Sequence, residues 1–384
     1  MNDEVIYLDH AAATPIDAKV LAAMQPFFAD DFYNPSAPYA PAVKTRREYE
    51  AAKQLLARTI GAKSDDLVIT AGATESINLA FASVSGHVVS SSIEHHAVLA
   101  AAKLHDVTFV EPDKKGIVSA DKIKAAITPK TQLVSIALAN NELGTIQPIR
   151  DIAEVIRKER ERRLLAGDHT PLYLHSDASQ GVGQLDVNVA RLGIDLLTLN
   201  AAKVYGPKQV GLLWAAPLVV LQPTIVGGGQ ERGLRSGTEN VAGTVGFAKA
   251  LELANDHRKF EADRLQKLRD KLQKQLVDAF PEAVLSGNLK HRLAGHLHIS
   301  FPNLDAERVL FALENRGVLV ATGSACAANK GTRSHVLTAI GLAPEVADGS
   351  LRITLGHLSN DESIAKAGTI LVEEITKEYA RSTR

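Results

Sequence analysis

Short apolar runs alternate with amphipathic stretches through the first two thirds of the chain. Asp66-Leu67-Val68-Ile69-Thr70, Val88–Ser92, Val107–Val110, Gln132–Ala139, Pro171–Leu174 and Ile194–Leu199 read as buried strands. Helical patterns fill the gaps near 72–84, from about 95, near 120–127 and from about 148 to 165, and a further strand covers Val210–Trp214. Before them, residues 4–9 read as a short strand and 16–28 and 40–60 as helices, with a turn-rich loop at Asn34-Pro35-Ser36-Ala37-Pro38. Strands separated by helices predict a mostly parallel sheet covered on both faces. A long charged helix is expected over 253–280, and the pattern then changes. Strands near 283–286, 296–301, 317–322 and 350–355 combine with helices near 305–316, 333–341 and 360–380. The expected fold class is α/β, with a large domain over 16–250. A smaller α+β domain takes 251–384 together with 1–15.

Composition narrows the class. The 384 residues allow a large core, and a net charge of −1 gives no general attraction to nucleic acid or anionic membrane. One cysteine, Cys326, excludes an internal disulfide framework and fits a cytoplasmic protein. No signal peptide or membrane span is expected.

The chemistry gathers where strands end, which is where open α/β sheets bind ligands. Lys203, in Asn200-Ala201-Ala202-Lys203-Val204-Tyr205-Gly206-Pro207-Lys208, follows the strand ending at Leu199. Desolvation there would make it a Schiff-base amine. Asp177 ends an earlier strand, and such a carboxylate can hold the proton on a pyridine nitrogen. Gly72-Ala73-Thr74-Glu75 opens a helix after a strand and offers backbone N–H groups to a phosphate. His95 and His96 follow Glu94; one could stack on a cofactor ring, but adjacent residues cannot face the same way. Asn140-Asn141 and Gln180 supply amides at strand ends. Cys326 lies in the small-residue run Gly323-Ser324-Ala325-Cys326-Ala327-Ala328, a setting that suits a reactive thiol.

Taken together, the motifs resemble a cysteine desulfurase of the NifS/IscS branch, within the class V aminotransferase family of fold-type I pyridoxal phosphate enzymes. They are Ala71-Gly72-Ala73-Thr74-Glu75, Glu94-His95, Asn140-Asn141-Glu142-Leu143-Gly144, Asp177-Ala178-Ser179-Gln180, Lys203-Val204-Tyr205-Gly206-Pro207, the glycine- and arginine-rich run at 227–238, and Gly323-Ser324-Ala325-Cys326. The resemblance implies that Lys203 carries the pyridoxal 5'-phosphate aldehyde and shuttles the α-proton. It implies that Asp177 pairs with the pyridinium, His95 stacks on the ring, and Asn141 and Gln180 address the phenolate. Thr74 and the Ala73 backbone take the phosphate, with Asn200 as a further contact, and Thr238 reaches the phosphate of a second subunit. Arg352 binds the carboxylate of L-cysteine, with Asn34 and Asn141 nearby. Cys326 accepts the sulfur as a persulfide, leaving alanine. A homodimer and a sulfur-acceptor protein, either an iron–sulfur scaffold or a tRNA-thiolation carrier, are the implied partners; no metal is implied.

The chain departs from that pattern. Ala202 stands where a histidine is usual and Asn200 where a Ser or Thr is usual. Loss of one charge-assisted hydrogen bond predicts cofactor affinity weaker by roughly tenfold to a hundredfold. Ala13 and Gln230 also replace the usual Thr and His, and relatives that dock a scaffold often extend beyond the equivalent of Arg384. A selenocysteine lyase, another class V lyase or aminotransferase, and a catalytically silent scaffolding relative are the alternatives. Cys326 argues against a transaminase, which needs no thiol.

Overall fold

The computed structural model describes residues 5–322 and 333–382. Cys326 lies outside the described residues. Seven strands form the main sheet, in the spatial order Leu67–Thr70, Gly211–Ala215, Leu196–Asn200, Tyr173–Asp177, Thr131–Ser135, His87–Ser91, Val107–Val110. Only Gly211–Ala215 runs antiparallel to its neighbours. The other six run in one direction, so their C-terminal ends share one edge. Helices cover both faces, which is why Leu67–Thr70 and His87–Ser91 are buried along their whole lengths.

A separate four-stranded antiparallel sheet holds Ala321–Thr322, Ser350–Thr354, His296–Ser300 and Val284–Leu285, in that order. Its core draws on both ends of the chain. Ile6 and Leu8 pack with Leu297, Ile299, Leu351 and Ile353. Ile6–Tyr7 pairs with Val318–Leu319. The N-terminal segment then passes across to the main sheet, where Thr14 Oγ1 donates to the Ala202 carbonyl.

The helix expected over 253–280 is longer, running Val241–Ala279. Its first turns are small and apolar (Val241-Ala242-Gly243-Thr244), so they lack the charged periodicity that marks the rest. Asn240 caps its start by accepting from the Gly243 N–H. Val241, Phe247 and Leu251 enter the core of the main sheet, whereas Leu265, Leu268, Leu272 and Leu276 enter that of the small one. The two units are thus joined by a continuous helix.

Candidate active site

One cavity of about 420 Å³ opens at the shared strand edge. Lys203 reaches it from the turn after Leu196–Asn200. Its Nζ donates to the carbonyl oxygens of Ala11, at 2.8 Å, and Ala12, at 2.6 Å. Asp177 enters from the next strand; its Oδ1 accepts from the Ser179 N–H, which fixes the carboxylate. Beneath it His175 is fully buried between Ser135 Oγ and Thr198 Oγ1, and burial lowers its pKa to about 4.

The two histidines separate. His95 lines the cavity, and its Nδ1 accepts from the Ala97 N–H. That bond leaves the ring proton on Nε2. Burial pushes the His95 pKa down, partly opposed by Asp177 and assisted by Lys203. His96 turns instead toward the His335 ring, 4.8 Å away. The two asparagines also differ. Asn140 Oδ1 accepts from the N–H groups of Glu142 and Leu143, and its amide donates to the Ile93 carbonyl, so it builds the turn. Asn141 lines the cavity with a side chain that the turn does not use.

Ala73 and Thr74 bring the first turn of Ala73–Ala82 to the cavity wall. Gly72 precedes them with φ of 134°, a backbone state that side chains disfavour. Asn200 also lines the cavity, and its Oδ1 accepts from the Ala202 N–H. Its amide NH₂ therefore remains as the donor. Gln180 spans to the N-terminal segment, its Nε2 donating to the Ala11 carbonyl. Arg352 comes from the small sheet and is almost fully buried.

Two expected residues lie elsewhere. Asn34 and Thr238 line a separate groove of about 280 Å³ with Phe27, Phe28, Phe32 and Tyr33. The loop carrying Thr238 is fastened by Glu231, whose buried carboxylate accepts from Lys53, Tyr49 and the Ile69 N–H. Arg235 in the same loop pairs with Glu75.

Some site residues carried no assigned role in the sequence. Asp9 meets Arg352 at 2.8 Å inside the cavity. Glu94 is wholly buried, accepts from the Ala137 N–H with both oxygens, and is pushed up to about 8 by burial. Ser334 donates to the buried Glu142, and His335 Nε2 approaches the Glu94 carbonyl at 3.0 Å. These contacts tie the start of the helix His335–Ala339 to the cavity rim. The Glu94-His95 and Asn140-Asn141-Glu142 motifs signalled two of them; nothing local marked Asp9.

The model of the aminotransferase class-V family matches residues 6–366. The chain belongs to this family. Class-V enzymes use pyridoxal phosphate. The chain is 39% identical to the cysteine desulfurase IscS of Dictyoglomus turgidum, over 97% of this chain and 95% of that protein. It is also 39% identical to cysteine desulfurase IscS 1 of Archaeoglobus fulgidus, over 95% of each. Among solved structures, a NifS-like protein superposes with a TM-score of 0.89 at 31% identity, covering 97% of this chain and 100% of that one.

Proposed function

We propose that this class-V enzyme is a cysteine desulfurase that removes sulfur from L-cysteine and leaves L-alanine. The observation that carries the reading is the single cavity that holds Lys203, Asp177, His95 and Arg352 together.

The residues fit pyridoxal phosphate. An amine, a fixed carboxylate and a helix N-terminus stand around one cavity at a strand edge. Lys203 would hold the aldehyde carbon, Asp177 the ring N–H, and the Ala73–Thr74 turn with the Asn200 amide the phosphate. His95, Asn141 and Gln180 would contact the ring. When bound, the cofactor supplies an electron sink that acidifies the substrate α-C–H.

The protein's own groups supply position and proton traffic. Arg352 presents a fork to the substrate carboxylate and so fixes the α-carbon near Lys203. Lys203 Nζ takes the α-proton. The neutral His95, with its proton on Nε2, can donate into the cavity without adding charge beside Lys203. Cys326 would attack the substrate sulfur: an S–S bond forms, the Cβ–S bond breaks, and its electron pair is protonated on carbon. The resulting persulfide would pass to an acceptor protein.

Thr238 and Asn34 support a homodimer with shared sites. Their groove is bordered by Phe28 and Phe32, which are 63% and 64% exposed in one copy. No described helix is long and apolar enough to cross a membrane, and a single cysteine suits the cytoplasm.

The test is alanine formation from L-cysteine with added pyridoxal phosphate, with intact-protein mass measured in parallel. Alanine plus one added sulfur, both lost in Cys326→Ala, is the expected result. Bound cofactor with neither product overturns the reading for L-cysteine.

A further inference from the structure

A second, smaller cavity shares Ala11, Gln180 and Lys203 with the larger one. It runs between the two units and encloses about 50 Å³. That volume has room for about three water molecules.

Its wall contains polar atoms that the protein does not satisfy. His10 is 6% exposed, and its Nδ1 lies 3.0 Å from the Thr354 carbonyl oxygen. That contact places the ring proton on Nδ1 and leaves a lone pair on Nε2. Among the described residues Nε2 has no partner. His296 is buried as deeply, and neither ring nitrogen has one. Burial keeps both rings neutral, lowering their pKa values to about 4 and about 3. A neutral imidazole offers one donor and one acceptor. Gln184, also in the wall, accepts from the Gly295 N–H with Oε1, so its amide NH₂ remains as a donor. Buried polar atoms without protein partners around a small polar cavity are the conditions under which proteins retain internal water.

The same lining leads outward. Tyr205 stacks on the exposed His357 with centroids 3.7 Å apart and planes 2° apart. Glu261, at this outer end, pairs with Arg264.

We propose that this chamber holds a short file of water molecules that carries protons between Lys203 Nζ and solvent, with His10 Nε2 and His296 as its buried hydrogen-bonding points. The proposal rests on the reading of Lys203 as the amine that takes the α-proton. The step balances simply. A proton on Nζ moves to the adjacent water, that water's own proton moves outward, and the reverse run restores it. No carbon bond changes and no electron is transferred. Relay through water chains is an established form of general acid–base chemistry.

The test uses the dimeric or monomeric holoenzyme as isolated, with His10→Phe as the main variant. Phenylalanine keeps an aromatic ring at this wall position and removes the unpartnered Nε2. The first readout is a crystal structure of the parent holoenzyme, with water sought within hydrogen-bond distance of His10 Nε2 and His296. The second is loss of the α-deuterium of L-[2-²H]alanine to solvent, which needs Lys203 but not Cys326. We expect ordered water in the parent, and washout at least about tenfold slower in His10→Phe at unchanged affinity for pyridoxal phosphate. Gln184→Leu should slow washout in the same direction and serves if His10→Phe does not fold. A dry chamber overturns the proposal. Water in the chamber with unchanged washout in the variants also overturns it, while alanine formation from cysteine leaves the desulfurase reading standing. A parent enzyme that forms no alanine from cysteine but still exchanges the α-deuterium overturns the desulfurase reading alone, whereas a parent that exchanges no α-deuterium overturns the conduit.

Discussion

Arg352 is held by Asp9 at 2.8 Å, across 343 residues of chain, inside the cavity proposed for the substrate. A second guanidinium nitrogen reaches the Asn141 carbonyl at 3.4 Å. Both side chains are largely buried, at 7% and 18% exposed, so the pair fixes the direction of the fork before any ligand arrives. Arg352→Lys keeps the charge but cannot fork. Loss of the bidentate contact predicts a KM for L-cysteine higher by roughly tenfold to a hundredfold. Asp9→Ala should raise KM by about tenfold with a smaller change in kcat, because it loosens the fork without touching the reacting atoms. Steady-state kinetics on the two variants check this; a lower KM in Asp9→Ala would make Asp9 a competitor of the substrate carboxylate.

Lys203→Ala removes the amine that the Ala11 and Ala12 carbonyls position. Alanine formation should fall by at least about a thousandfold, since both the anchor for the cofactor and the proton carrier are lost. The visible absorption of the protein should change as well. A variant that retains more than a tenth of the parent rate would show that another group moves the proton.

Glu231 is the only carboxylate that hydrogen-bonds Lys53 among the described residues, and both side chains are buried. Glu231→Gln would leave the Lys53 ammonium short of a counter-charge. Removing one partner of a buried pair costs about 3–5 kcal/mol. Denaturant unfolding should detect that loss. Because the same loop carries Thr238, exchange of labelled subunits in the proposed homodimer should also quicken in the variant.

His298 makes stability depend on pH. It is fully buried opposite Arg352, and burial, then the Arg352 charge, lowers its pKa to about 3. The unfolded chain takes up a proton below about 6.5, whereas the folded one does not. Its contribution is therefore complete above about pH 6.5 and is lost as the pH falls toward 3, by up to about 1.4 kcal/mol per pH unit. His10, His175 and His296 act in the same direction. Replacing His298 with Gln should flatten the acid limb between about pH 6 and pH 5. Unfolding midpoints of parent and variant across that range check it; parallel curves would show that His298 is protonated in the folded protein.

Local signals made much of this legible. The apolar runs that became Leu67–Thr70, Tyr173–Asp177 and Leu196–Asn200 placed Thr74, Asp177 and Lys203 at strand ends, and all three line one cavity. Adjacent residues were harder. His95 and His96 differ only in which faces the cavity, and Asn140 and Asn141 only in which builds the turn; periodicity cannot separate them. The start of the helix at Val241 was missed because Val-Ala-Gly-Thr lacks an amphipathic pattern when both faces are buried. The Asp9–Arg352 pair depends on the bridge between Asp9 and Thr354, a contact between chain ends that no local pattern encodes.

That closure between ends has a consequence for synthesis. The backbone that holds the Lys203 amine belongs to residues 11 and 12, which are made 192 and 191 residues before the lysine they position. Its own support comes much later: the Ala11 N–H donates to Thr354 Oγ1, 343 residues on. A nascent chain emerges at roughly 5–20 residues per second, so the main sheet can be complete for several seconds while the strand Ile6–Tyr7 still lacks its partner Val318–Leu319. The active site is thus finished only after residue 354 has been made, and a chain truncated before it would fold a large unit whose lysine is present but unplaced.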